Sequence, residues 1–215
     1  MKHMFNIEGP LFQFLSRVGD LIILNVLFLV CCIPVITIGA SSAALNKMTQ
    51  DMVHDAESGV LKGFFQAFRA NFKQATVVWV AELIVLVSLA CDAILVYSWF
   101  PGNKLMYGIL IALAVLVLCV STYMIPLLVR YDNTLRQHLA NAVILAIIKL
   151  PKTIAMVVLN ALPLIVFLLS LNVFLQTMVF WLFIGFAFVA FMNSSMLKKV
   201  FAQIEGEKKD ITLGT

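Results

Sequence analysis

Two acidic side chains lie inside an apolar stretch of the sequence, and they are the residues best placed to do chemistry there. Glu82 and Asp92 are the only charged residues between positions 74 and 103. An ionised carboxyl group inside a membrane costs at least about 2.5 kcal/mol on insertion scales, so such residues often mark a functional site. On one helix, ten residues separate the two by about 15 Å along the axis and about 80° around it, which excludes a paired catalytic carboxylate site.

The two acids have a structural and a functional interpretation, and the sequence leaves both open. A hydrogen-bonded carboxyl group can hold helices together, whereas an ionised one can line a pathway. We expect Glu82 in the inner half of the membrane, within reach of residues 37–42 if the first two spans pack together. We expect Asp92 in the outer half, facing the neutral polar groups of Asn25, Ser121 and Asn160. The neutral polar candidates of the first apolar run are Asn25, Thr37, Ser41 and Ser42.

The positions of the cysteine and histidine residues give no indication of a further reactive site. The four cysteines lie in apolar runs without a C-x-x-C spacing, and the three histidines are far apart in the sequence. Such cysteines are typical of small buried apolar residues. The chain also has no phosphate-binding glycine loop, H-E-x-x-H motif or G-x-S-x-G motif. We therefore expect a protein that is not an enzyme and that has no cofactor and no metal site.

The composition predicts that lipid surrounds much of the chain. Hydrophobic residues make up 62% of it, charged residues only 12%, and the mean hydropathy is +1.02. A soluble domain has about 25% charged residues. The segments 21–46, 105–129 and 153–197 contain no charged residue, and about 20 apolar residues suffice to cross the hydrocarbon core. The predicted fold class is therefore all-α, a polytopic helical bundle in the membrane.

We predict one membrane domain with about five transmembrane helices. The predicted spans are 21–45, 76–99, 105–129, 152–171 and 177–197. The first run is expected to remain as a span rather than be cleaved as a secretory signal, since twenty residues precede it. The segment 152–197 could also be one span followed by a re-entrant segment.

Positive charge predicts the orientation of these spans. Five crossings place twelve of the fifteen Lys and Arg residues on one side of the membrane. The positive-inside rule then puts the N-terminus outside and the C-terminus in the cytoplasm. The loops 46–75 and 130–151 and the tail 198–215 become cytoplasmic. The net charge of +4 is thus explained by topology and contact with anionic lipid rather than by binding of nucleic acid.

Two segments outside the spans have the pattern of amphipathic helices. Residues 7–20 predict an interfacial helix that begins at Gly9-Pro10 and leads into the first span. In the first cytoplasmic loop, aromatic residues share one helical face and basic residues occupy the rest. Contact with anionic lipid and docking into a partner protein both fit this loop helix. Its candidate contact residues are Lys62, Phe64, Phe65, Phe68, Arg69, Phe72 and Lys73.

The middle of the first apolar run combines a proline with small side chains. Helices in lipid associate through close backbone approach, which Gly39, Ala40 and Ala43 would permit. Pro34 should kink the span, as Pro126 should in the third. Hydroxyl groups such as that of Thr37 can then bond to the freed carbonyls. The run is either a structural seam or a broken helix that lines a substrate site.

Three segments resemble the YesL-like family of small integral membrane proteins. They read VGDLIILN (18–25), IPVITIGASSAAL (33–45) and GFFQAFRANFKQATVVW (63–79). The likeness covers nearly the whole chain, although its specific part ends near Trp79. Members occur in Gram-positive bacteria and are commonly encoded beside importers of oligosaccharides. The resemblance implies a setting, carbohydrate uptake at the plasma membrane, and assigns no catalytic residues.

Two functions follow as hypotheses. In the first, a non-enzymatic membrane protein assists oligosaccharide uptake by associating with the permease of an ABC-type importer. In the alternative, the chain is a small transporter or channel whose polar path is lined by the first and second spans. Self-association into a homo-oligomer stays open. A polar cavity inside the membrane would favour transport, whereas a filled core beside an apolar outer surface would favour a partner protein.

Overall fold

The computed structural model describes residues 10–54, 56, 59–100 and 102–213, and every regular element in those ranges is helical. The helices are α1 (Pro10–Cys31), α2 (Ile38–Val53), α3 (Val60–Trp99), α4 (Lys104–Arg130), α5 (Leu135–Ile148), α6 (Leu150–Leu169), α7 (Leu171–Phe180) and α8 (Phe186–Leu213). A 3-10 turn (Val35–Thr37) precedes α2, and a π-helical turn (Trp181–Gly185) joins α7 to α8.

Five helical segments are long and apolar enough to cross a membrane, which confirms the predicted fold class. They are Gln13–Cys31, Val60–Trp99, Lys104–Arg130, Leu150–Leu169 and Leu171–Gln203. The protein is therefore a membrane protein with transmembrane helices.

The predicted first span over 21–45 is two helices rather than one. The Ser41 hydroxyl donates a hydrogen bond to the Phe28 carbonyl at 3.0 Å, although thirteen residues on one straight helix would span about 20 Å. The chain therefore reverses direction between α1 and α2. Pro34 lies in this reversal, so it ends the helix instead of kinking it. The Thr37 hydroxyl donates to the carbonyls of Cys31 and Pro34 at 2.6 and 2.7 Å, as expected for a proline-broken segment in lipid.

The predicted interfacial helix is also part of α1. The helix begins at Pro10, as expected, but it continues without a break to Cys31. Residues 7–9 of that prediction lie outside the described residues. The N-terminal segment thus extends α1 rather than forming a separate element.

Helix α3 combines two segments that were predicted as separate helices. The predicted loop helix and the predicted second span form one helix of 40 residues, about 60 Å long. Helix α2 packs antiparallel to its first half. A methyl group added at Gly39 would overlap the Ala75 carbonyl oxygen and come within 2.6 Å of the Trp79 Cβ atom. The predicted seam of small residues therefore exists, and Gly39 allows its closest approach.

The helices α5, α6 and α7 begin at residues that cap or start a helix. A capping box formed by Thr134 and Gln137 begins α5 in the predicted third loop, and Pro151 lies in the first turn of α6. The sequence left two alternatives for 152–197, namely two spans or one span with a re-entrant segment. The structure has two apolar helical segments there, each long enough to cross a membrane. They run antiparallel and meet at Ser170, which caps α7. Phe167 and Phe174 pack edge to face across this turn at 5.3 Å.

Side-chain burial distinguishes two regions within the molecule. The inner bundle comprises α1, α2, residues 60–79 of α3, 123–130 of α4 and 186–203 of α8, and most of the two hydrophobic clusters lies there. The outer hairpin comprises residues 80–122, from the second half of α3 and the first part of α4. Val96 is the only buried side chain among the described residues of the outer hairpin.

Candidate functional site: a polar chamber among the helices

Two adjoining cavities lie between α2, α4 and α6 and share their polar lining. The side chains common to both are Ser42, Ser121, Thr122, Ile125 and Asn160. We call the two cavities together the polar chamber and each cavity a lobe. The first lobe has a volume of about 200 Å³ and the second about 230 Å³. The chamber sits where the inner bundle meets the outer hairpin.

The first lobe extends toward α8 and is partly aromatic. Asn46 and Asn193 contribute amide groups, while Phe28 and Trp181 contribute aromatic walls. Asn193 donates to the Asn160 side-chain oxygen at 2.8 Å. Its own side-chain oxygen has no hydrogen-bond partner among the described residues, and this oxygen is itself buried although the residue lines the lobe. A buried acceptor without a partner is unusual.

The second lobe extends toward α3 and contains the predicted acid. Glu82 lies beside Ser121, and the lobe also includes Ser42, Gly39 and Trp79. As expected, Glu82 shares this lobe with Gly39 and Ser42 of the 37–42 segment, whereas its position in the inner half of the membrane stays a prediction. Because α2 and α3 meet so closely at Gly39, this carboxyl group and the serine reach one cavity.

The predicted polar residues Thr37 and Ser41 do not line the chamber. Each donates its hydroxyl to main-chain carbonyls at the reversal between α1 and α2. The predicted packing residues Ala40 and Ala43 are fully buried. Pro126 lines the first lobe, and its carbonyl accepts a hydrogen bond from Gln50 at 3.2 Å. Of these residues, Pro126 forms part of the chamber wall, whereas Thr37, Ala40, Ser41 and Ala43 hold the helices around it.

Asn25 holds α1 against the π-helical turn instead of facing Asp92. Its amide nitrogen donates to the carbonyls of Trp181 and Leu182 at 3.1 and 2.8 Å, and its oxygen accepts from the Ala187 amide at 2.9 Å. A π-helical turn disrupts the regular hydrogen bonds of an α-helix. Asn25, which is fully buried, therefore satisfies main-chain groups at this turn.

Asp92 lies apart from the chamber, so the expected contacts with Asn25, Ser121 and Asn160 are wrong. It lines a separate cavity of about 450 Å³ near the tip of the outer hairpin. The other lining residues are Leu95, Val96, Trp99, Phe100, Met106, Ile109 and Leu110. The 80° offset between the two acids around α3 is consistent with this separation. The two carboxyl groups therefore belong to different sites.

The candidate contact residues on the first half of α3 fall into two groups. Phe64 is fully buried against α2 and Phe68 packs on the same cluster, so Phe64 is not a lipid or partner contact. The remaining members are exposed: Lys62, Phe65, Arg69, Phe72 and Lys73. The prediction failed for Phe64 because α2, rather than lipid, covers that face of α3.

The sequence did not identify Asn193 as a site residue. A signal was present, because Asn193 begins three consecutive polar residues within a long run without charge. Polar side chains in such runs often pair across helices. Asn193 pairs with Asn160, 33 residues earlier in the chain, a pairing that local sequence does not reveal.

Chemically, the chamber resembles a site for a small polar solute. It offers hydroxyl and amide groups from several helices, aromatic walls and one carboxyl group. Sites for drug-sized ligands usually have volumes of about 300–1,000 Å³, and each lobe is smaller. Among the described residues, no group of three or more His, Cys, Asp or Glu could hold a metal ion.

Comparison with known proteins matches one part of the chain to a family model. Residues 21–93 match the model of a family described as "Protein of unknown function, DUF624". The matched range includes Asn25, Ser42 and Glu82 but ends before Ser121, Asn160 and Asn193. No curated protein and no solved structure matches the chain.

Proposed function

We propose that this protein is a small, non-enzymatic transporter of the plasma membrane that binds a small polar solute in the polar chamber. The observation that carries the proposal is the chamber itself, with Glu82 in one lobe and the amide pair of Asn160 and Asn193 in the other. A polar cavity among membrane helices is costly unless solute or water occupies it. In this role, residues of α2, α3, α4, α6 and α8 would line the path of the solute.

The lining favours a solute with several hydroxyl groups. Neutral amide and hydroxyl side chains supply both donors and acceptors, and Trp181 supplies a flat apolar face. The lobe volumes suit a solute of monosaccharide size and not an oligosaccharide. The resemblance to the YesL-like family supports the same chemical class, since its setting is carbohydrate uptake.

Purified protein in detergent and in proteoliposomes tests the proposal. We would measure the thermal unfolding midpoint and counterflow uptake with a panel of monosaccharides as probes. At least one sugar should raise the midpoint, because a ligand that binds only the folded state stabilises it. Glu82→Gln and Asn193→Leu should reduce uptake of that sugar at least tenfold.

Asp92→Asn is the matched control, because it neutralises an acid of the same helix outside the chamber. It should leave uptake at the level of the unaltered protein. The proposal fails if no sugar shifts the midpoint and the proteoliposomes show no uptake. It also fails if Asp92→Asn and Glu82→Gln reduce uptake equally, since the effect then does not arise in the chamber.

A second candidate function is assistance to an oligosaccharide importer of the ABC type. The observation that favours it is the outer hairpin, where Val96 alone is buried among the described residues of 80–122. Such an apolar surface suits transmembrane helices of a permease. The YesL-like resemblance supplies the importer as the partner class. In this role the chamber would be a structural cavity filled with water.

Site-specific photo-crosslinking distinguishes the second candidate from the first. A crosslinker at Ile94 or Ile111, both exposed on the outer hairpin, should capture permease subunits identified by mass spectrometry. The same group at Ile147, exposed on α5, is the control and should not capture them. Adducts with lipid or with this chain alone would contradict an importer partner.

A further inference from the structure

The helical reversal at Pro34 places both ends of α1–α2 on one side of the molecule. Arg17 and Asp20 of α1 line the same cleft as Asp51 and Met52 of α2, while Ser41 bonds back to the end of α1. The two helices therefore form an antiparallel hairpin with its tip at residues 32–37. A hairpin of this kind returns to the membrane surface from which it started.

The depth of the tip is set by its contact with α3. The indole nitrogen of Trp79 donates to the Val35 carbonyl at 2.9 Å. Helix α3 then continues for twenty residues to Trp99, a rise of about 30 Å. That rise equals the thickness of the hydrocarbon core. The tip thus stops far short of the outer end of α3 and enters one leaflet at most.

A full crossing by α1 would place charged residues in the hydrocarbon. The first half of α3 lies alongside the α1–α2 hairpin, and it carries Lys62, Arg69 and Lys73. If α1 spanned the membrane, these three side chains would lie at the depth of the acyl chains. The second half of α3, in contrast, has only two charged residues. The hydrocarbon core therefore surrounds the second half of α3 and reaches no further along the hairpin than its tip.

The surface of the tip suits acyl chains. Ile33, Val35 and Ile36 are exposed by 77%, 58% and 63%, and no charged residue occurs between positions 21 and 46. Main-chain groups in lipid must be satisfied within the protein. The Thr37 hydroxyl does this for the carbonyls of Cys31 and Pro34.

Positive charge identifies the leaflet. If the hairpin does not cross, the crossing segments are α3, α4, α6 and α7–α8. Fourteen of the fifteen Lys and Arg residues then lie on one side, and Lys104 alone lies on the other. This asymmetry is larger than the twelve to three of the five-span arrangement. The side with fourteen is the cytoplasm.

We propose that α1 and α2 form a re-entrant hairpin whose apolar tip is inserted among the acyl chains of the cytoplasmic leaflet. The beginning of α1 then lies in the cytoplasm, as does the end of α8. The proposal replaces the predicted orientation with the N-terminus outside. It can fail or hold separately from the solute-binding function, because it rests on the direction and depth of the hairpin and on the distribution of positive charge.

Cysteine labelling tests the orientation. In a background in which the four native cysteines are replaced, Ser16→Cys and Lys104→Cys each introduce one exposed thiol. A membrane-impermeant maleimide should label Lys104→Cys in intact cells and Ser16→Cys only in inverted vesicles. Labelling of Ser16→Cys from outside would overturn the proposal. A protease-cleavable tag before the unaltered chain gives the same readout without substitution and should be cut only in inverted vesicles.

Spin labels test the depth of the tip. A nitroxide at Ile36→Cys should be more accessible to oxygen than to a water-soluble nickel chelate. Leu113→Cys on the outer hairpin is the lipid-facing control, and Arg136→Cys on α5 is the water-facing control, since both residues are exposed. If the Ile36 label behaves like the Arg136 label, the tip lies in water and the proposal fails. If its depth lies in the outer leaflet, the hairpin crosses and the proposal also fails.

Discussion

The inner bundle and the outer hairpin differ in how their helices are held together. Nine of the sixteen residues of α2 are buried, and polar side chains bond across the helices around it. Thr49 pairs with Ser194 at 2.9 Å, and Gln50 donates to the Pro126 carbonyl. The outer hairpin is rich in Leu, Ile and Val but buries only Val96 among its described residues.

The contrast teaches that apolar sequence alone does not pack helices in a membrane. Lipid tails are as apolar as leucine, so little is gained when leucine leaves lipid for protein. Small residues that permit close approach, together with polar bonds between helices, hold the inner bundle. Paired substitutions, one in each region, can break or sharpen this comparison.

The largest difference is expected between two glycines. Gly39→Ala should destabilise the protein by about 3 kcal/mol or more, because the new methyl group overlaps the Ala75 carbonyl oxygen. Gly108→Ala, in open space on the outer hairpin, should stabilise it by about 0.5–1 kcal/mol through helix propensity. Unfolding in detergent measures both. Equal effects would show that the seam at Gly39 does not hold α2 against α3.

The next effect concerns the amide that bonds to the π-helical turn. Asn25→Ala leaves two carbonyls and one amide group without partners and should cost about 2–3 kcal/mol. Asn25→Asp keeps an oxygen for the Ala187 amide but loses both donated bonds. It should therefore also destabilise the protein. Hydrogen exchange of residues 181–187 would localise the change, and unaltered exchange there would contradict it.

A pair of tyrosines gives a smaller contrast. Tyr123 is fully buried, and its hydroxyl lies 3.0 Å from that of Thr153. Tyr123→Phe should cost about 0.6–1 kcal/mol, the range of one hydrogen bond between membrane helices. Tyr97→Phe on the outer hairpin, where the ring is 73% exposed, should change the unfolding midpoint little. A larger loss at Tyr97 would mean that a partner covers the outer hairpin.

The smallest effect is a pH dependence at helix α5. Burial lowers the pKa of His138, and the nearby Asn133 backbone offsets this in part. The unfolded chain then takes up a proton at a higher pH than the folded protein does. Stability should be full above about pH 6.5 and should decrease as the pH falls through the lower pKa of the folded state. His138→Gln should flatten the stability profile between pH 5 and 7, and an unchanged slope would assign it to other groups.

Much of the fold could be predicted because membrane segments have a local signature. Length and hydropathy identified five helices, and the cost of a buried charge identified Glu82. The reversal at Pro34 could not be predicted, since a proline can kink or end a helix and the Ser41–Phe28 bond decides which. The continuity of α3 could have been predicted from the lack of Pro and Gly after Gly63. The basic residues of its first half instead led to the prediction of a separate loop helix.

The candidate site was less predictable than the fold. The sequence placed Glu82 near α2, because both lie in adjacent segments. It placed Asp92 near Asn25 and Asn160 wrongly, because the choice depends on how helices rotate against one another. Neutral amides such as Asn193 carry a weak signal in an apolar run. Their significance depends on a partner far away in the chain.

The uninterrupted course of α3 gives the protein a rigid link between its two faces. The helix has no proline, and its one glycine lies near its start, so it has no internal hinge. A rod of about 60 Å that tilts by about 10° moves its far end by about 10 Å. A displacement of α3 near Lys62 would therefore be accompanied by a displacement of Trp99 at the other end of the same helix.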